Sequence, residues 1–245
     1  MKLRSLLTVM GIGVGIGAIL FLVSLGQGLQ RLLIERITTA EALLTLDVAP
    51  PGDGLIALNQ NKVDAISQLP SVAIVSPVKT AKAKINFEGV TAGVTAHFVD
   101  NSFFRLAGLD KLIAADQADS QNKKEKNNKN TEIFIDNQSI VVSQAVLNLL
   151  SISDEAIGKL LDLKVGGDQA AVVLDSTYKI TEIINDDLNS FVYLPLSAYP
   201  ADQLLFYNNL KAQVKSTVFL EEARDKIIAD GFVVSALSDT VRQAN

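Results

Sequence analysis

The stretch MGIGVGIGAILFLVSLGQG, Met10 to Gly28, admits two physical readings, and the choice between them fixes what the rest of the chain is. Gly13-Val14-Gly15-Ile16-Gly17-Ala18 satisfies G-x-G-x-x-A, and Glu35 follows at a spacing suited to a ribose-binding acid. That fingerprint works only as a short strand, a tight turn and an amphipathic helix opening onto a pyrophosphate. No turn is available here. From Leu6 to Leu25 there is no charge, no Pro, no Asn and no Asp, and Thr8 and Ser24 are the only hydroxyls. The run matches the roughly 20 apolar residues that a helix needs to cross a bilayer core of about 30 Å. The sequence therefore predicts a membrane helix, in which Gly11 with Gly15 and Gly13 with Gly17 form small-xxx-small pairs that let a second helix approach closely.

A cleaved secretory signal would carry a shorter apolar region, about 7–15 residues, ending at an A-x-A-like site. Leu25-Gly26-Gln27 offers no such site, so an uncleaved anchor is expected. Lys2 and Arg4 precede the span while Arg31 and Arg36 follow it closely. A long domain translocates largely regardless of its charge, which places the N-terminus in the cytoplasm and the bulk of the chain outside, with a single pass.

Beyond the span, Leu29, Leu32, Leu33 and Ile37 recur three and four apart between Gln30, Arg31, Glu35 and Arg36. That is a helical stripe, and with no stop signal at the membrane edge it predicts a stalk whose apolar side meets a partner helix. Residues 1–42 are thus assigned to membrane helix and stalk.

The remainder, 43–245, reads as an α+β extracytoplasmic domain. LLTLDVAP (Leu43 to Pro50) is a strand ended by Pro50-Pro51-Gly52-Asp53-Gly54, Lys62 to Leu69 a short helix, and VAIVSPV (Val72 to Val78) a strand. AKAKINF and VTAGVTAHFVD flank Glu88-Gly89, a hairpin signal. The same order returns near the C-terminus as LKAQVK, a helix from Val218 to Ala229, the Asp230-Gly231 turn and FVVSAL. Two β-α-β units therefore bracket the middle, the pattern of a split ferredoxin-like sandwich with an insertion between its halves. The halves are expected over 43–105 and 208–245, and a β-rich lobe over 106–207. In that lobe EIFI, SIVVS, LDLKV, AAVVLD, YKITEII and SFVYLPL read as strands, with one helix around Gln144 to Leu150. Asp116 to Glu132, rich in Asn, Lys and Gln, reads as a disordered loop. No second span appears, and SDTVRQAN at the end looks like the start of a helix capped by Ser238 or Asp239.

Composition narrows the function classes. A net charge of -5 and a pI near 5.0 argue against nucleic acid, which is met by basic faces. Zero cysteines leave no disulfide or thiolate metal site, and a single histidine, His97, leaves no multi-histidine metal site and no base–nucleophile pair. His97 alternates with Phe98 at the end of a strand, where a structural role is expected. Gly158-Lys159 fails as a P-loop because Leu160 stands where Ser or Thr would hold magnesium and Ser153 where the first glycine belongs. Asp186-Asp187 reads as a turn and Glu221-Glu222 as a solvated helix face. No catalytic motif is present, so no enzymatic activity and no cofactor or metal are expected of this chain.

Taken in order, LRSLLTVMGIGVGIGAILFLVSLGQGLQRLLIERI, ISQLPSVAIVSPV with HFVDNSFFRLAGLD, IVVSQAVLNLLSISDEAIGKLLDLKV, FVYLPLSA and EARDKIIADGFVVSALSDTVRQAN resemble the MacB-type permease subunits of ABC transporters, related to FtsX and to LolC and LolE. The resembling part is the first membrane helix plus the periplasmic core domain. The resemblance implies a permease of the cell (inner) membrane, a homodimer or heterodimer working with a cytoplasmic ABC ATPase. The split lobe would be porter-like, and the stalk would carry ATPase-driven helix movement outward for export or mechanical work. It also implies further membrane helices after the external domain, the first of them where this sequence ends. The alternative is a single-span, membrane-anchored binding or adhesion module.

Overall fold

The computed structural model describes residues 10–26, 43–52, 54–109, 133–152, 156–166 and 174–236. Contacts group the chain into two units, 1–38 and 39–245. The first unit is described by a continuous helix over residues 10–26 whose residues are all exposed. Among the described residues no helix is long and apolar enough to cross a membrane. The expected span starts at Leu6, and residues 6–9 lie outside the described set, as do Leu29, Leu32, Leu33 and Ile37 of the expected stalk. The expected loop 116–132 and the expected helix start at Ser238 or Asp239 lie outside it too.

In chain order the second unit runs β1 (Thr45–Ala49), α1 (Gln60–Ser67), β2 (Val72–Phe87), β3 (Val90–Val99), α2 (Ser102–Leu106), β4 (Ser139–Ser143), α3 (Gln144–Leu149), β5 (Leu160–Val165), β6 (Leu174–Ile184), β7 (Phe191–Pro195), β8 (Asn209–Val214), α4 (Leu220–Ala229) and β9 (Val233–Ala236). It is an α+β arrangement. Local chemistry sets the helix ends. The Asn59 side-chain oxygen accepts from the Lys62 N–H at 3.1 Å, satisfying one of the orphan donors at the start of α1. At the end of α4, Gly231 sits at φ +90°. Its N–H donates to Ile228 O at 2.8 Å and that of Phe232 to Ile227 O at 3.3 Å, a Schellman closure. A Cβ at Gly231 would fall 2.2 Å from Cδ1 of Ile56, so the position is reserved for glycine by space as well as by torsion.

The two β-α-β units interleave in one antiparallel sheet, ordered β2-β8-β1-β9. This is the strand order that a split ferredoxin-like sandwich requires, each crossover skipping one strand. Leu46, Val48 and Leu210 from the strands bury against Val63 and Ile66 of α1 and Ala223 and Ile227 of α4.

β2 then continues past this sheet. Its second half pairs with β3 on one edge and with β5 on the other. β3 pairs in parallel with β7, β7 antiparallel with β4, β4 in parallel with β6, and β6 antiparallel with β5. The circuit β2-β3-β7-β4-β6-β5 closes on itself as a barrel. Inside it lie Ile85, Phe98, Ile140, Leu161, Leu163, Ile180 and Leu194, joined by Val146 and Leu147 of α3.

Three strand expectations change. VAIVSPV and AKAKINF are one strand, because Pro77 interrupts nothing: the N–H groups of β2 that face β8 belong to even-numbered residues, and the missing N–H of Pro77 points to the edge that carries no ladder at that point. Leu174 and Asp175 of AAVVLD run on into YKITEII as the single strand β6, while 170–173 lie outside the described residues. EIFI forms no strand over its described residues. Ile133 and Ile135 are buried while Phe134 is exposed, so the alternation is real. The segment packs on the barrel's outer face, where the Ile135 N–H donates to Asn101 Oδ1 at 2.9 Å in place of a ladder.

Candidate functional site

The helix over residues 10–26 presents Ile12, Val14, Ile16, Ile19, Leu20, Phe21 and Leu22 all more than half exposed, apolar on every side. A Cβ added to Gly11, Gly13, Gly15 or Gly17 would meet nothing within 4 Å.

A second surface lies on the barrel. Successive pairings align Glu182 of β6, Val141 of β4, Tyr193 of β7, His97 of β3 and Thr80 of β2 in one row across the outer face. Tyr193 is the hub. Its ring centroid lies 5.4 Å from His97, 5.3 Å from Phe103, 5.4 Å from Phe104 and 5.3 Å from Phe191. Burial pushes the Tyr193 phenol up to about 12, with the nearby negative charge of Asp186 adding to the effect. Burial also pushes the His97 imidazole below its ordinary value. With Nδ1 3.2 Å from the Thr80 hydroxyl and aromatic rings on its other side, His97 serves as a neutral packing group. Glu182 is half-buried in the same row and its carboxyl is held above its usual range by desolvation.

Beside this row the barrel surface dips into a groove of about 470 Å³ lined by Lys82, Lys84, Gly93, Thr95, Gly166 and Ser190. Sequence reasoning did not single it out, although its signal was present: Lys82-Ala83-Lys84 at a spacing of two puts both ammonium groups on one face of a strand, and a glycine inside a strand marks a place where something approaches the backbone.

The remaining acidic pairs are structural. Asp186 accepts from the Leu188 and Asn189 N–H groups, both at 2.9 Å, and from the Asn189 amide at 3.0 Å. These bonds, the Asn189 side chain first, hold its carboxyl below the usual range. Glu221 and Glu222 pair along α4 with Arg224 at 3.2 Å and Lys226 at 2.6 Å. Gly158 takes φ +93° at the turn into β5, and the Lys159 ammonium lies 5.4 Å from the Phe87 ring centroid. Among the described residues, no three acidic or histidine side chains converge where a metal ion could sit.

Comparison with known proteins places this architecture. The sequence profile of the MacB-like periplasmic core domain matches residues 5–230. The chain belongs to that family. Similar curated relatives include a macrolide export ATP-binding/permease protein MacB of Bartonella henselae, 30% identical over 118 residues, which are 45% of this chain and 18% of the relative. Another is MacB 2 of Aeromonas hydrophila, 31% identical over 132 residues, which are 50% of this chain and 20% of the relative. The match thus spans about a fifth of the length of these curated relatives. Among solved structures, the periplasmic region of MacB from Actinobacillus actinomycetemcomitans superposes with a TM-score of 0.54 at 13% identity, covering 86% of this chain and 94% of that one. At that identity the likeness shows the MacB periplasmic fold.

Proposed function

We propose that this chain is the membrane-anchored, extracytoplasmic part of a MacB-type ABC transporter permease, coupling movement driven by a cytoplasmic ABC ATPase partner to export or mechanical work outside the membrane. One observation carries the reading: the family profile spans residues 5–230, from the apolar segment through the barrel and all of the β-α-β arrangement except its last strand, β9. The apolar, all-round exposed helix supports a lipid-facing anchor, since a helix without a polar face is stable only when buried in protein or in a bilayer. Gly11, Gly13, Gly15 and Gly17 then pack against a second permease copy or helix, and Leu29, Leu32, Leu33 and Ile37 form the stalk contact. In this arrangement the chain crosses the cell membrane once, N-terminus inside. Residues 1–42 are anchor and stalk, 43–105 with 208–245 a porter-like lobe and 106–207 a second lobe to which the β2–β3 hairpin lends strands. Catalysis of ATP hydrolysis is assigned to the ABC ATPase, no nucleotide motif lying within these 245 residues.

The test is purification of the full chain from its native membranes in mild detergent. The expected result is co-purification of an ATP-hydrolysing subunit in fixed ratio and loss of that ratio when Gly15→Leu is introduced. Recovery of the chain from the membrane fraction with no ATPase attached would favour the single-span binding module.

A further inference from the structure

Lys79 is only 7% exposed, although lysine is almost never buried without a partner of opposite charge. It stands opposite Phe98 in the β2–β3 ladder, so its side chain leaves β2 on the side of the barrel core. Among the described residues its ammonium forms no ion pair and no hydrogen bond, and it meets ring faces instead. Nζ lies 3.9 Å from the centroid of Phe206 and 5.6 Å from that of Tyr199. Burial pushes the amine below its ordinary value, and the negative ring faces counter this by favouring the charged form. The Tyr199 ring in turn stands edge-on to that of Phe98 inside the barrel, 5.0 Å between centroids.

Both rings belong to one connection, in which the chain passes from the barrel strand β7 to β8 of the β-α-β sheet. Its backbone bonds are local. The Gln203 N–H donates to Pro200 O at 3.1 Å, that of Leu204 to Ala201 O at 3.4 Å and that of Leu205 to Gln203 O at 3.0 Å. Anchorage to the rest of the unit begins after them, where the Tyr207 N–H donates to Leu58 O at 2.8 Å and that of Asn208 to Val78 O at 2.9 Å. Leu205 is 73% and Phe206 46% exposed. Leu204 turns inward and packs, with Leu196, against both the barrel core and the β-α-β core. A segment whose backbone is satisfied within itself, and which rests on one leucine and one ring over a buried cation, can lift without breaking a ladder of either sheet.

We infer that residues 200–206 form a strap across the seam between the two cores, latched by the Lys79 ammonium on the Phe206 and Tyr199 rings, and that the strap is released as a local motion which bares Leu196 and Leu204 while both sheets stay folded. The latch is a cation site that the chain fills with its own lysine: the ring faces hold a primary ammonium where a carboxylate would otherwise be required. The inference rests on the packing around Lys79 and stands apart from the transporter reading.

The experiment is chymotrypsin cleavage of the full chain in detergent solution under native conditions, with cuts after Leu204, Leu205 and Phe206 scored by fragment mass. Local release exposes little surface and global unfolding much, so the rate of these cuts is expected to stay flat in low urea. Lys79→Met keeps the apolar stem and drops the charge, and it is expected to speed the cuts at least fivefold. Lys79→Arg keeps a cation and is expected to stay within about twofold of the parent chain. Lys79→Ala deletes a propylammonium group. In that variant n-propylammonium chloride is expected to slow the cuts again, while propan-1-ol, of the same size without the charge, leaves them fast. Cuts in Lys79→Met no faster than in the parent, equal effects of the ammonium and the alcohol, or a rate that climbs with urea as steeply as global unfolding would each overturn the inference.

Discussion

His97 is the only histidine in the chain, so proton uptake near neutrality is dominated by one ring. Burial against Phe191 and Tyr193 lowers its pKa in the folded state, with Thr80 the polar group facing it. As pH falls through the ordinary value of 6.5, the unfolded chain binds the proton first, and stability drops. Glu182, held above its ordinary 4.5 by burial, acts in the opposite direction at lower pH, because its folded form gains the proton first. Urea midpoints are therefore expected to fall between pH 7.5 and 5.5, and His97→Gln to flatten that slope. A second residue-scale expectation concerns Asn208. In the gap where β2 has left β8 and not yet reached β5, the Thr80 N–H has no strand to pair with, and Asn208 Oδ1 accepts from it at 2.7 Å. Asn208→Ala is expected to cost about 1 kcal/mol in urea unfolding, and Asn208→Asp, which retains an acceptor, measurably less.

At the scale of elements, the Glu88-Gly89 hairpin takes φ 49° and 87° at its two central residues, a type I′ turn. The glycine suits that geometry and the glutamate does not. Glu88→Asn is expected to raise stability by about 0.5 kcal/mol, measured as an increase in thermal midpoint with unchanged far-ultraviolet dichroism. Elements of this kind were legible in the sequence because their causes are local: the turn residues of the hairpin, the Gly231 stop of α4, the alternation of SIVVS and LKAQVK. The β-α-β repeats were legible for the same reason. Barrel closure was not, since it depends on the parallel pairings of β3 with β7 and of β4 with β6, which join segments whose register is set only once the intervening chain has packed. The fusion of VAIVSPV with AKAKINF escaped notice because a proline in a strand is harmless only on an unpaired edge, and which edge is unpaired is a tertiary fact. The groove was missed on similar grounds: Lys82 and Lys84 look like an ordinary solvated face until Gly93 is known to lie opposite.

At the scale of the whole external unit, the barrel core and the β-α-β core share β2, and Leu196 and Leu204 pack against both. Two cores joined by a common strand and common side chains are expected to open together. Hydrogen exchange of the Leu163 and Leu210 amides, one from each sheet, should report the same unfolding free energy, and Phe98→Ala, which removes about 3–5 kcal/mol of barrel packing, should lower protection at both. Protection lost at Leu163 alone would mean that the shared strand does not couple them.

β2 imposes one more condition, on how this gene can change length. Side chains along a strand alternate sides, so one extra codon between Val78 and Ala83 would rotate Ala83 and Ile85 out into water and swing Lys82 and Lys84 into the barrel. Only additions or losses in twos preserve the phase on which both sheets depend. Descendants of this sequence should therefore vary freely in the turns while the count of residues from Val72 to Phe87 keeps its parity.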